Sequence, residues 1–226
     1  MIKFDKVTKL YRYKGFRHYV FKDLDLMLPK KRNIGLLGPN GAGKSTILRL
    51  IAGSETPNSG TVTTDENISF PIGMGNSLLG GLSARENVKF VCRIFGKKNE
   101  EMESIVKYVK DFAELGEYFD QPMKTYSSGM KSRISFGLSM AFDFERYLVD
   151  ETLSVGDQTF RNKATKIFAE KRKKASTILA SHSMSTLVQN CEMGLYVNNG
   201  KVILFKKIKD AIATYMNEVV NQPLRK

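Results

Sequence analysis

At 226 residues, with 42% hydrophobic and 26% charged residues and 6 prolines, the chain suits one sizeable α/β domain and lacks the low hydrophobicity of a disordered segment. Lys and Arg outnumber Asp and Glu by 36 to 23, a net charge of +13 that favours acidic partners without choosing among phosphates, anionic lipid and nucleic acid. Cys92 and Cys191 lack metal or redox spacing, the N-terminal residues lack a signal-peptide pattern, and the longest uncharged stretch, 67–84, holds Pro71 and glycines where a spanning helix needs about 20 apolar residues.

In chain order, Asn33–Leu37 reads as a short buried strand, followed by a glycine-rich turn and a helix over Ser45–Ala52. Short strands are expected at Thr61–Thr63 and Ile68–Phe70. From Leu82 to Phe142 the apolar spacing turns helical. There Asn99, ahead of Glu100 and Glu101, is expected to cap a helix running to about Glu114, and Ser127 to cap another carrying Ile134, Leu138, Ala141 and Phe142. Alternation then returns: strand Arg146–Val149, helix Phe160–Lys173, strand Thr177–Ala180, helix Met184–Gln189. The basic run Lys171–Lys174 reads as a solvated helix end. Leu195–Val197 and Val202–Leu204 flank Asn199-Gly200, a strong hairpin signal. Strands alternating with helices imply an α/β fold with a mostly parallel sheet, and the helical middle implies a subdomain inserted at about 77–142 in a single 1–226 domain.

The chemistry starts at Gly38-Pro39-Asn40-Gly41-Ala42-Gly43-Lys44-Ser45, which satisfies G-x-x-x-x-G-K-[ST]. Its glycines let backbone N–H groups approach phosphate, and the helix start, through Thr46, adds partial positive charge. Lys44 would reach the β/γ-phosphates, and Ser45 would offer its hydroxyl to Mg²⁺. Such a loop needs a carboxylate on a neighbouring strand, and Arg146–Glu151 is an apolar strand ending in two acids. Asp150 is the metal candidate; Glu151, one step on, is placed to polarise the attacking water.

With Tyr126-Ser127-Ser128-Gly129-Met130 upstream of Asp150, the chain resembles ABC-type ATP-binding subunits, whose Leu-Ser-Gly-Gly-Gln signature it matches at Ser127 and Gly129 and departs from at Ser128 and Met130. The resemblance implies a P-loop NTPase (RecA-like) core with a small antiparallel β part and the inserted helical subdomain. It also implies that ATP and Mg²⁺ are bound between two copies, with Ser127, Ser128 and Gly129 closing on the ATP of the partner copy. Asp157, in Ser154-Val155-Gly156-Asp157, falls at the family's D-loop near the dimer seam. His182 resembles the switch histidine that hydrogen-bonds the γ-phosphate, and Tyr11, with Tyr13 as the nearby competitor, resembles the aromatic that stacks on adenine. The family's Gln between the P-loop and the helical subdomain is missing, since no Gln precedes Gln121. Phe70–Asn76 stands there instead, and Phe70–Gly81 is expected to contact the membrane partner.

In texture the chain is most similar to cassettes exporting bacterial capsular polysaccharide, with O-antigen and teichoic acid exporters alike. That implies an ATPase peripheral to the cytoplasmic face of the inner membrane, paired with a multi-spanning permease. About twenty residues follow the last hairpin, so no carbohydrate-binding domain and no direct glycan contact are expected. A soluble ABC ATPase acting on nucleic acid or ribosomes is the alternative; the chain shows neither two cassettes nor an inserted coiled coil, so no nucleic acid partner is expected.

Overall fold

The computed structural model describes residues 1–72, 78–150 and 157–221, apart from the side chains of Tyr13 and residues 219–221. Glu151, the Gly73–Asn76 part of the Gln-free stretch, and Ser154 to Gly156 therefore lie outside the described residues. The chain groups into two compact units, Met1–Pro71 with Phe144–Glu151 and Ala175–Lys226, and Ile72–Asp143 with Thr152–Lys174.

The first unit opens with β1 (Ile2–Tyr13) and β2 (Phe16–Leu28), which with β4 (Ser59–Thr64) form an antiparallel sheet in the order β2-β1-β4. In β2, buried Leu24, Leu26 and Leu28 alternate with exposed Asp23, Asp25 and Met27, the period of a strand with one wet face. In β1 the buried apolar residues are Ile2, Phe4 and Val7, because a bulge between Phe4 and Val7 shifts the phase by one residue. That shift hides the strand from a search for strict alternation. Thr61–Thr63 lies in this sheet and not in the parallel one.

The second sheet runs β5 (Arg146–Asp150), β6 (Ser176–Ala180), β3 (Ile34–Leu37), β7 (Met193–Asn198), β8 (Lys201–Phe205). Its first four strands are parallel and β8 is antiparallel to β7. All four residues of β3 are buried, as a parallel strand covered on both faces requires. Asn199 (φ 47) and Gly200 (φ 76) make the expected turn between β7 and β8. Ile68–Phe70 is not a strand. Ile68 makes one bridge to Arg146, and the next amide, Leu148 N, donates to Ser69 Oγ at 2.9 Å, so a side chain replaces the backbone acceptor and the ladder stops.

Helices α1 (Lys44–Ile51), α6 (Met184–Asn190) and α7 (Ile208–Asn221) complete this unit. The sequence reading left α7 out. It packs on β7 and β3, where Ile208 and Ala211 join Leu37, Leu187, Cys191 and Tyr196 in a buried cluster. Contact is close enough that a Cβ on Gly194 would lie 2.3 Å from Ala211 Cβ.

The second unit holds α2 (Ala84–Ile94), α3 (Asn99–Ala113), α4 (Ser128–Ala141) and α5 (Gln158–Arg172), with two short 3₁₀ turns before α4. In α4, Ile134 to Met140 are buried in succession, so the helix is enclosed rather than amphipathic. Phe112 of α3 stacks on Phe136 of α4 and meets Phe160 of α5 edge-on at 5.1 Å. Asn99 is not a cap: Lys98 holds that position, and Asn99 is the first helical residue with φ 48, a conformation asparagine tolerates. The basic run ends α5, with Lys171 paired to Asp143 and Lys173 to Glu170.

Candidate functional site

The phosphate loop leaves β3 at Gly38, where a Cβ would lie 2.0 Å from Val197 O, so only glycine lets the loop start against β7. Gly43 (φ 106) is the N-cap of α1 and supplies no side-chain acceptor. The first N–H groups of α1 are thus uncapped by a side chain, an anion-binding arrangement. Lys44, 8% exposed, donates to Gly38 O at 2.8 Å and Pro39 O at 3.0 Å, so its ammonium is held over the loop it follows. Ser45 Oγ donates to Asp150 Oδ2 at 2.9 Å. The candidate metal hydroxyl and carboxylate, from α1 and the end of β5, are therefore in contact.

Asp150 pairs with Ala180 in the β5–β6 register, and His182 follows two residues later with its side chain exposed. The loop after β3, Asp150 at the end of β5 and His182 after β6 thus all lie at the carboxyl edge of one parallel sheet, where open α/β sheets bind ligands. Among the described residues no group of three or more His, Cys, Asp or Glu is arranged to hold a metal. Magnesium, however, takes one or two carboxylates with substrate phosphates rather than a full protein cage. The hard oxygens of Ser45 and Asp150 fit it.

Tyr11 is brought to the same region, its hydroxyl 3.2 Å from Thr46 Oγ1 and donating to Glu55 Oε2 at 2.9 Å. Burial raises the Glu55 pKa, but hydrogen bonds from Lys9 and Tyr11 and the charges of Lys9 and Arg49 outweigh it and hold the carboxyl below its usual range. A cleft of about 410 Å³ beside the phosphate loop is lined by Pro39 to Ala42, by His18, Tyr19 and Val20 of β2, and by Asn198, Asn199 and Gly200 of the β7–β8 turn. Tyr11 does not line it; the Tyr13 side chain lies outside the described residues. Pro39 to Ala42 were expected from the sequence, whereas the walls from β2 and from the β7–β8 turn were not. A signal for the first was present, since Lys14-Gly15 marks a turn that sets Tyr11 opposite His18.

In the second unit Ser127 caps α4, its Oγ accepting from Met130 N at 3.2 Å, with Ser127 and Ser128 exposed and Gly129 partly so. Asp157 caps α5, accepting from Phe160 N at 2.9 Å and from Arg133 Nη2 at 2.7 Å. The Phe160 amide, with the Arg133 charge, holds the Asp157 carboxyl below its usual range against the opposing effect of desolvation. In the stretch expected to meet a membrane partner, Ile72 is buried and Leu79 is 51% exposed, so of these two side chains Leu79 is the one that offers a contact surface. Among the described residues no helix is long and apolar enough to cross a membrane.

The family described as ABC transporter matches residues 21–154. The polysialic acid transport ATP-binding protein KpsT of Escherichia coli is 48% identical over 220 residues, covering 97% of this chain and 100% of that one. The capsule polysaccharide export ATP-binding protein CtrD of Neisseria meningitidis serogroup B is 38% identical, covering 95% of this chain and 98% of its own. Among solved structures, the dimeric post-hydrolysis state of the ATP-binding cassette MJ0796 bound to ADP and Pi matches with a TM-score of 0.71 at 22% identity, over 92% of this chain and 99% of that one.

Proposed function

Because the chain belongs to the ABC transporter family of ATP-binding proteins, we propose that it is the ATP-hydrolysing subunit of an exporter of bacterial capsular polysaccharide. The contact of Ser45 with Asp150 carries the hydrolytic reading, since it joins the phosphate loop to the strand whose next residue is Glu151. Export of a capsular glycan is supported by full-length similarity to proteins named for polysialic acid transport and capsule polysaccharide export.

In this reading the N–H groups of the Gly38–Gly43 loop and the start of α1 cradle the phosphates. Lys44 exchanges its two carbonyl partners for phosphate oxygens. Ser45 and Asp150 would hold Mg²⁺. Bound with ATP, that ion would supply positive charge to offset the phosphates. Glu151 takes a proton from the attacking water, and His182 steadies the γ-phosphate from the neighbouring strand end. Ser127, Ser128 and Gly129 present the uncrowded start of α4 to the ATP of a second copy, using the physics of the phosphate loop itself. Asp157 sits at the seam between copies. A multi-spanning permease is the other partner, which makes the subunit peripheral to the cytoplasmic face of the bacterial inner membrane.

Glu151→Gln keeps size and hydrogen-bonding capacity but removes the base, so turnover should fall by about 10²–10⁴ while ATP still binds. Lys44→Ala should lose ATP affinity as well. Purified variants compared by nucleotide binding and phosphate release check both. Near-normal turnover in Glu151→Gln would remove Glu151 from the mechanism, and normal surface glycan in cells carrying Lys44→Ala would remove the transport role.

A further inference from the structure

The hairpin joining β1 to β2 exposes more cation and aromatic surface than its fold requires. Among the described residues the last pairing of β1 with β4 is Thr8 with Ser59. From Leu10 outward β1 and β2 run as a two-stranded ribbon through the pairs Leu10–Tyr19, Tyr11–His18, Arg12–Arg17 and Tyr13–Phe16. Lys14 (φ 46) and Gly15 (φ 83) form the two-residue turn at the apex. Directly opposed residues share a face. Arg12 and Arg17 thus lie side by side on one face, and Phe16, 80% exposed, is on the other.

This arrangement works against the ribbon's own stability. Like charges directly opposite weaken a strand pair, two-stranded ribbons are marginal, and an exposed phenylalanine gains nothing from water. Among the described residues neither arginine enters an ion pair, and no Asp or Glu occurs between Asp5 and Asp23. An anionic layer with an apolar zone beneath would relieve all of these costs at once.

We propose that this tip docks on an anionic phospholipid surface, with Arg12, Lys14 and Arg17 among the phosphates and Phe16 in the interfacial layer. Cationic side chains beside an apolar wedge are what such a surface recruits. A convex apex one turn wide enters a headgroup layer, whereas a nucleic acid strand asks for a groove or a stacking platform, which the apex does not supply. The inference uses none of the residues assigned to hydrolysis; it shares with that reading only the peripheral membrane location.

The chain has no tryptophan, so Phe16→Trp supplies a single reporter. With vesicles of phosphatidylcholine containing about a third phosphatidylglycerol, its emission should shift to the blue and be quenched by acyl-chain quenchers, and vesicles of phosphatidylcholine alone should do neither. Replacing Arg12, Lys14 and Arg17 by Gln should weaken vesicle binding about a hundredfold, at roughly fivefold per cation. Removing the exposed Lys166, Lys174 and Lys209 instead, which lowers the net charge equally, should cost less than about tenfold. Unchanged ATP hydrolysis by both triple variants shows that they are folded. Equal losses in the two triple variants, no blue shift, or a reporter that answers single-stranded RNA and not vesicles would each overturn the proposal.

Discussion

Arg146 has the most demanding position of any single residue, because it starts the strand that delivers Asp150 and is 0% exposed. Its guanidinium donates to Glu66 Oε2 at 2.8 Å, Pro29 O at 2.7 Å and Arg32 O at 3.1 Å. These acceptors offset the cost of burying the charge, and removing one partner leaves the other charged and dry. Glu66→Leu or Arg146→Met should each destabilise the chain by about 3–5 kcal/mol, and the double variant Glu66→Leu/Arg146→Met should recover part of that. Urea unfolding in a double-mutant cycle measures the coupling; additive losses would show that the pair does not act as a unit. The phosphate loop, Asp150 and Ser45 were legible as sequence because short spacing and one strand end define them. Arg146 was not, since a buried arginine in an apolar strand takes its meaning from Glu66, on a segment that periodicity does not connect to it.

The elements divide along the same line. Helix and strand positions that follow from local pattern, such as the Ser127 cap, the Asn199-Gly200 turn and the strands after Phe142, stand where the residues put them. Of the elements missed, β1, whose bulge breaks its alternation, and α7, whose apolar residues gain a surface only when β7 is beneath them, depend on a partner, whereas β2 was missed although Leu24, Leu26 and Leu28 alternate as a strand should. At the end of α7, Glu218 accepts from the Tyr196 hydroxyl at 2.5 Å and also from Asn198, tying the helix to the strand that ends at the cleft beside the phosphate loop. Burial and the Glu218 carboxylate push the Tyr196 pKa up to about 12. A raised folded-state pKa means this contribution is whole below pH 10, the ordinary value of tyrosine, and is lost as pH rises through about 12. Burial also raises Tyr108 and Tyr126, so a spectrophotometric titration of the folded chain should find, among its late tyrosines, one that disappears in Tyr196→Phe and ionises earlier in Glu218→Gln. If both variants leave the titration unchanged, the tether does not control that phenol.

At the scale of the whole molecule, the phosphate loop and Asp150 belong to one compact unit and the start of α4 to the other. The proposal that each active site combines Lys44 and Glu151 of one copy with Ser127 and Gly129 of the other makes a prediction no single-chain site shares. Lys44→Ala damages the site on its own chain. Ser127→Arg fills the helix start, at a further cost of about 1 kcal/mol for the lost cap, and damages the opposite site. Either variant alone forms a dimer with both sites lost. In a two-fold dimer of one of each, the lesions fall together and the other site is wholly intact. Equal mixing should therefore restore roughly a quarter of wild-type hydrolysis, from one good site in about half of the dimers. If each site were built from one chain, the mixture would stay as inactive as its components. A cycle that needs both sites would also keep the mixture silent, so assembly is read separately. By light scattering, Glu151→Gln should pair on adding ATP and separate when the nucleotide is withdrawn, while Glu151→Gln combined with Ser127→Arg should not pair. A strictly monomeric ATP-bound Glu151→Gln chain, in detergent and with membranes, would refute the shared site.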